Sequence, residues 1–183
     1  DINGVRSIYT LKYNSSDGSE VWNKTFSYGN FISQQEIATS LVVDGSGNVY
    51  VTGYIYDGLT NNIYTIKYDT DGNELWNATY DGGYEDTATG ISLDASNDVY
   101  VTGSTYDGIT ANYFTIKYDG SVGTEIWNVS SDTGNVEFTT GIAIDSSNNV
   151  YVSGFMYNGV NNDYFTIKYN SSGNEVWNIT YDG

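Results

Sequence analysis

The stretch Tyr64-Thr65-Ile66-Lys67-Tyr68-Asp69-Thr70-Asp71-Gly72-Asn73-Glu74-Leu75-Trp76-Asn77 consists of two strand-like runs joined across a short polar turn. The first run is rich in β-branched and aromatic residues, and the turn carries the Asp, Asn and Gly that chain reversal favours. The same sentence returns as Phe114 to Tyr118 with Glu125-Ile126-Trp127-Asn128, as Phe165 to Tyr169 with Glu175-Val176-Trp177-Asn178, and earlier as Tyr9 to Tyr13 with Glu20-Val21-Trp22-Asn23. Trp22, Trp76, Trp127 and Trp177 fall 54, 51 and 50 residues apart. A spacing this regular marks a tandem repeat.

Two more runs precede the hairpin in each full unit. In the first full unit they are Ile37 to Asp44 and Asn48-Val49-Tyr50-Val51-Thr52-Gly53. The latter recurs as Asp98 to Gly103 and Asn149 to Gly154. Four short runs per unit, here lettered a to d and bounded by Gly, Asn, Asp or Ser, predict four antiparallel strands and no helix. A β-solenoid is the main rival, but its coils usually repeat every ~20 to 30 residues and seldom carry four turn signals. The expected class is therefore all-β, with β-propeller blades of four antiparallel strands. The chain opens at strand c, so it holds a half blade at 1–30 and full blades at 31–82, 83–133 and 134–183, about three and a half in all.

The Gly-Asn-Val-Tyr-Val-Thr-Gly core at 47–53, followed by a Lys-bearing strand and a Gly-Asn-Glu-x-Trp strand, resembles the bacterial and archaeal beta-propeller repeat family of seven-bladed propellers. The segment Lys168 to Trp177 also resembles the tryptophan-docking hairpin of quinoprotein-type propellers. The resemblance spans essentially the whole chain. It implies a fold with a scaffolding or binding role, and it implies no catalytic residues. Such propellers commonly have roughly six to eight blades, more than this chain encodes.

With 23 acids against 6 bases the net charge is −17. A field of that sign repels phosphate, which disfavours nucleic acid and anionic membranes as partners. The sequence contains no cysteine and no histidine. Thiol nucleophiles, disulfides, imidazole bases and the usual zinc sites are thereby excluded. No apolar stretch approaches membrane-spanning length and no signal peptide is evident, as expected for a mature chain or an excised segment. No cofactor and no metal are expected. Asp69-Thr70-Asp71-Gly72-Asn73-Glu74 alternates oxygen ligands as calcium loops do. The equivalent turns have lost most of those acids, and a hairpin turn accounts for all of them.

Four of the bases, Lys12, Lys67, Lys117 and Lys168, recur with the repeat, as do Glu20, Glu74, Glu125 and Glu175. If Asp69 to Gly72 form the loop, Lys67 faces Glu74, and a cross-strand ion pair follows. All four tryptophans are expected to lie largely buried between blades, and Gly53, Gly103 and Gly154 to permit a bulge or a close backbone approach. The connection Phe26 to Glu36, longer than its counterparts, is the expected place for a contact unique to one blade.

Six sites match the N-glycosylation pattern: Asn14, Asn23, Asn77, Asn128, Asn170 and Asn178. Those after Trp fall on strand d, the outermost strand of a blade, and the other two on the turn before it. Paired acids such as Glu85 and Asp86 lie in a variable connection and lack a repeated partner, so no catalytic residue is assigned. The expected function is that of a non-catalytic extracellular or cell-surface structural protein that joins further copies or further repeats through its open half blade. Two copies carry eight cd halves and only six ab halves, so they cannot close a ring of seven complete blades. The alternatives are a piece of a larger surface propeller that binds carbohydrate or protein, and, ranked lower, a glycan-active enzyme.

Overall fold

The computed structural model describes residues 7–28 and 36–182. Within them the chain is all-β and runs as a series of antiparallel meanders. Strands β1 (Ile8–Tyr13) and β2 (Glu20–Phe26) pair with each other alone. Strands β3 (Ile37–Val43), β4 (Val49–Tyr56), β5 (Asn61–Tyr68) and β6 (Glu74–Tyr80) form the first four-stranded sheet. Strands β7 (Asp86–Leu93), β8 (Val99–Tyr106), β9 (Ala111–Tyr118) and β10 (Glu125–Ser131) form the second. Strands β11 (Val136–Ile144), β12 (Val150–Tyr157), β13 (Asn162–Tyr169) and β14 (Glu175–Tyr181) form the third. Each sheet follows chain order, which is the blade architecture expected from the repeat. The long connection after Phe26 falls mostly at 29–35, outside the described residues.

Burial explains the composition of the strands. In β5 and β9 nearly every residue is buried, because both faces of these central strands are covered. The outer strand β6 alternates instead, with Trp76 inward and Asn77 outward. Each apolar cluster joins one sheet to the next. Ile8 and Trp22 pack with Val51, Ile66 and Tyr68. Tyr50 and Trp76 pack with Ile91, Val101, Ile116 and Tyr118, and Tyr100 packs with Val152, Phe165 and Tyr169. Burial of side chains this size is the main favourable term in holding sheet to sheet. Two buried hydroxyls pair between the central strands: Thr52 and Thr65, opposite each other in the register, lie 3.1 Å apart at their oxygens.

The glycine expectation holds in geometric detail. Strand β3 bulges between Ala38 and Ser40, opposite Gly53 and Thr52. A Cβ on Gly53 would collide with the Ile37 carbonyl, and Gly103 and Gly154 stand in the same way against Thr87 and Phe138. The bulge draws the backbone of the first strand over the position where a side chain would stand.

Candidate functional site

The chemistry that recurs in every sheet gathers at the hairpin turn between its third and fourth strands. Trp76 Nε1 donates to the Gly120 carbonyl at 3.1 Å, and Lys67 Nζ donates to the same oxygen at 2.7 Å. Gly120 belongs to the turn of the following sheet. One sheet earlier, Trp22 Nε1 and Lys12 Nζ both donate to the Thr70 carbonyl, at 3.0 and 2.8 Å. Trp127 Nε1 donates to the Ser171 carbonyl at 3.2 Å. The glycine that closes each receiving turn lies under the ring: a Cβ on Gly72, Gly123 or Gly173 would press into Trp22, Trp76 or Trp127. These glycines also hold positive φ, at 79°, 75° and 80°, so the turn needs glycine for two independent reasons.

The expected Lys67–Glu74 ion pair does not form. A bulge shifts the register so that Lys67 lies opposite Trp76 while Glu74 lies opposite Tyr68. Lys67 therefore shares the face of Trp76 and reaches the next sheet, and the same offset pairs Lys12 with Trp22 and Lys168 with Trp177. Glu74 instead accepts from Asn77 Nδ2 at 2.6 Å. Glu125 and Glu175 do the same with Asn128 and Asn178, at 2.6 and 2.7 Å. Residues three apart on a regular strand point to opposite faces; the extra residue of the bulge brings Glu and Asn together.

Lys117 is the departure. It lies 3.4 Å from Asp94 and 2.9 Å from Asp98, the only ion pairs among the described residues. Asp98 stands where the other blades carry Asn48 and Asn149. Burial lowers the pKa of Lys67, with Asp44 and Asp119 opposing the shift. Burial presses on Lys117 as well, but its contacts with Tyr100 and Asp98 outweigh it and raise that pKa. Both ammonium groups sit 4.8 Å from a tyrosine ring, Tyr50 for Lys67 and Tyr100 for Lys117, a placement that the ring quadrupole favours.

The tryptophans do not share one environment. Trp22 and Trp76 are buried, Trp127 is partly covered, and Trp177 is 41% exposed. All four were expected to be largely buried, and Trp177 is not. The difference has a direct cause: a tryptophan is covered by the turn of the following sheet, and the described residues place no sheet after β14. The rest of the donor set in the last blade is nonetheless in place. Tyr151 meets Trp177 edge-on at 6.2 Å, as Tyr50 meets Trp76 at 6.1 Å, and Lys168 lies 4.9 Å from the Tyr151 ring.

A second set of polar groups, missed in the sequence, lies at the start of each first strand. Glu36, Asp86 and Glu137 are almost wholly buried. Glu36 accepts from the Tyr28 amide and Asp86 from the Gly82 amide. Glu137 accepts from Thr133 and, at 3.2 Å, from the amide of Tyr113 in the preceding sheet. Burial raises the pKa of Glu36 and pushes that of Asp86 up to about 6. The signal in the sequence was slight, because the acid is Glu twice and Asp once and sits in a connection of varying length.

The acidic turns hold their own donors. Asp69 accepts from the amides of Asp71 and Asn73 and from Asn73 Nδ2. Asp145 is held low, at about 2, chiefly by Asn149. Of the six glycosylation candidates, Asn14, Asn23, Asn77, Asn128 and Asn178 are exposed. Asn170 is half-buried, and its oxygen accepts from the Ser172 and Asn174 amides.

No family model matches the chain, and no curated protein matches it. Among solved structures, a chain described as "Crystal structure of the eukaryotic initiation factor" is similar, with a TM-score of 0.53 and 8% identity over 95% of this chain. The likeness is in fold alone. This chain spans 43% of the length of that one.

Proposed function

We propose that this chain is a non-catalytic structural repeat protein of the extracellular or cell-surface kind, of the beta-propeller repeat family, which joins further blades through its open ends. The observation that carries the proposal is the state of the outer blades. Every residue of β14 is exposed, whereas its counterpart β6 buries Trp76. At the other end, β1 pairs only with β2 among the described residues. A groove of about 450 Å³ runs beside it, lined by Tyr9, Leu11, Tyr13, Leu41 and Val51. Exposed strand edges either pair or are blunted by charge, and no charged residue lines this groove.

Glycans on the outer strand fit this role. Asn23, Asn77 and Asn128 point outward, with the hydroxyl residue two positions on, Thr25, Thr79 or Ser130, exposed on the same side. Mass spectrometry of natively produced protein is expected to find modified peptides there, and unmodified peptides alone at all six positions would remove this part of the proposal.

The assembly role is tested by sedimentation velocity and negative-stain microscopy. The expected result is concentration-dependent species larger than the 20.1 kDa chain. Sedimentation as a monomer at every accessible concentration would overturn it. A second proposal, a piece of a larger surface propeller that binds carbohydrate or protein, draws support from the greater length of the similar solved chain. Binding to a glycan array by a longer product of the same gene, and not by this segment, would favour it.

A further inference from the structure

We infer that the turns joining the second and third strands of the three full sheets, tipped by Leu59, Ile109 and Val160, form a docking surface for a protein segment that combines apolar side chains with lysine or arginine. The inference goes beyond the assembly role and does not depend on it.

Among the described residues these three are the most exposed large apolar side chains, at 83%, 83% and 87%. Leu59 and Ile109 belong to sheets that are packed on both flanks, through the clusters that hold Trp22, Trp76 and Tyr100. Their exposure is therefore a property of the turn. A lone exposed aliphatic residue needs no explanation. Here the same position is aliphatic in all three turns.

The fold itself does not ask for an aliphatic tip. Asp57 Oδ1 accepts from the Leu59 and Thr60 amides at 2.8 and 3.0 Å. Asp107 holds the Ile109 and Thr110 amides at 2.7 and 2.8 Å, and Asn158 those of Val160 and Asn161 at 2.9 and 3.1 Å. In each case the first residue of the turn and the main chain close the loop, so a polar residue at the tip would serve as well and leave less apolar surface in water. A turn locked in this way also loses little freedom when a partner covers it.

The connection into each first strand lies at the same end of the sheet. Tyr84, just before β7, meets Tyr106 edge-on at 6.0 Å and lies against Gly108. Glu85 accepts from Asn61 Nδ2 of the preceding sheet at 2.6 Å. Tyr84 and Tyr106 are 49% and 38% exposed, and they extend the apolar surface beside Ile109.

Charge selects the partner. Asp57, Asp81, Glu85, Asp107 and Asp132 stand at this end of the sheets, and the Thr60 and Leu59 amides hold the Asp57 carboxyl below its ordinary range. The described lysines gather at the other end. Lys12 and Lys67 reach the Thr70 and Gly120 carbonyls, Lys117 meets Asp98, Lys168 lies over Tyr151 and Lys24 lies beside Gly72. An anionic surface with apolar tips attracts a cationic, apolar segment and repels both a second copy of itself and an anionic membrane. Branched aliphatic tips offer no flat face on which a sugar ring could stack.

The test uses the 183-residue chain and two dye-labelled synthetic helical peptides of equal charge, one of leucine and lysine and one of alanine and lysine, with binding read by fluorescence anisotropy. Wild type is expected to prefer the leucine peptide about ten-fold or more, and to bind it more weakly as salt rises. Leu59→Ser with Ile109→Ser and Val160→Ser is expected to abolish that preference with an unchanged urea midpoint, since the three side chains are exposed. Leu75→Ser with Val122→Ser, which removes exposed apolar residues elsewhere, is expected to keep it. Equal preference in wild type and the triple variant overturns the inference, because attraction to the acidic chain then needs no turn. An equal loss in the control variant overturns it as well. Self-association in sedimentation velocity, or binding to phosphatidylserine vesicles, that the triple variant loses while peptide binding persists would reassign the surface to a second copy or to a membrane and overturn the partner inferred here.

Discussion

The indole N–H of Trp76 and the carbonyl of Gly120 meet at 3.1 Å across the boundary between two sheets. The bond is sheltered from water, since Trp76 is only 6% exposed. One side chain thus contributes buried ring area and removes an unpaired donor from the same seam.

Trp76→Ala is expected to destabilise the chain by about 3 to 5 kcal/mol, the usual cost of deleting a large buried aromatic. Trp177→Ala, on the open face, is expected to cost the monomer under about 1 kcal/mol. Urea denaturation followed by far-UV circular dichroism gives both numbers. Equal losses would contradict the difference in burial.

Lys117→Met is expected to cost about 3 kcal/mol or more, because it strands the buried carboxylate of Asp94 without its cation. Lys12→Met loses a hydrogen bond to the Thr70 carbonyl at the more open end of the molecule, worth about 1 kcal/mol. The difference between the two losses, from denaturant midpoints at one pH, measures how much more the Lys117 contacts with Asp94 and Asp98 contribute than a single bond to a carbonyl.

Asp86 gives a pH dependence of definite sign. Burial raises its folded pKa to about 6, above the ordinary 3.8, so the folded state binds the proton more tightly than the unfolded chain. Its contribution to stability is complete below the unfolded value and is lost as pH rises through the folded one. Asp86→Asn is expected to be more stable than wild type above pH 6, by at most about 3 kcal/mol. That advantage should shrink between pH 6 and 4. Midpoints of the two proteins across that range give the difference curve, and a flat curve would contradict the burial of this acid.

Gly53→Ala is expected to destabilise by about 3 kcal/mol or more, since the new methyl collides with the Ile37 carbonyl and backbone must move. Gly45→Ala, where a Cβ meets nothing within 4 Å, is the control. Its expected effect lies within about 0.5 kcal/mol of wild type.

Strand content was legible in the repeat because alternation and turn residues are local properties. The Tyr64 to Tyr68 run and the Glu74 to Asn77 run each became one strand, and Gly72 closed the turn between them. The partner of Lys67 was misjudged for one reason. Counting across a loop assumes an unbroken ladder, and the bulge in β6 inserts a residue that no composition signal announces. A trace of it was present all the same. The recurrence of Glu74 and Asn77 three positions apart makes sense only if both face solvent together, as their 2.6 Å contact requires. Glu36, Asp86 and Glu137 were illegible for a different reason: an acid in a connection reads as surface until the next sheet covers it.

The sequence by itself determined the strands, their order in each sheet and the number of repeats, since these follow from period, turn chemistry and side-chain alternation within some fifty residues. The tertiary structure alone decided which tryptophan is covered, which lysine finds a carbonyl and which carboxylate loses water. Those outcomes depend on the sheet that comes next, so similar repeats diverge. Trp76 and Trp177 sit in closely similar stretches, each two residues after a Glu and just before an Asn, and the turn that follows covers the first ring while the second stays exposed.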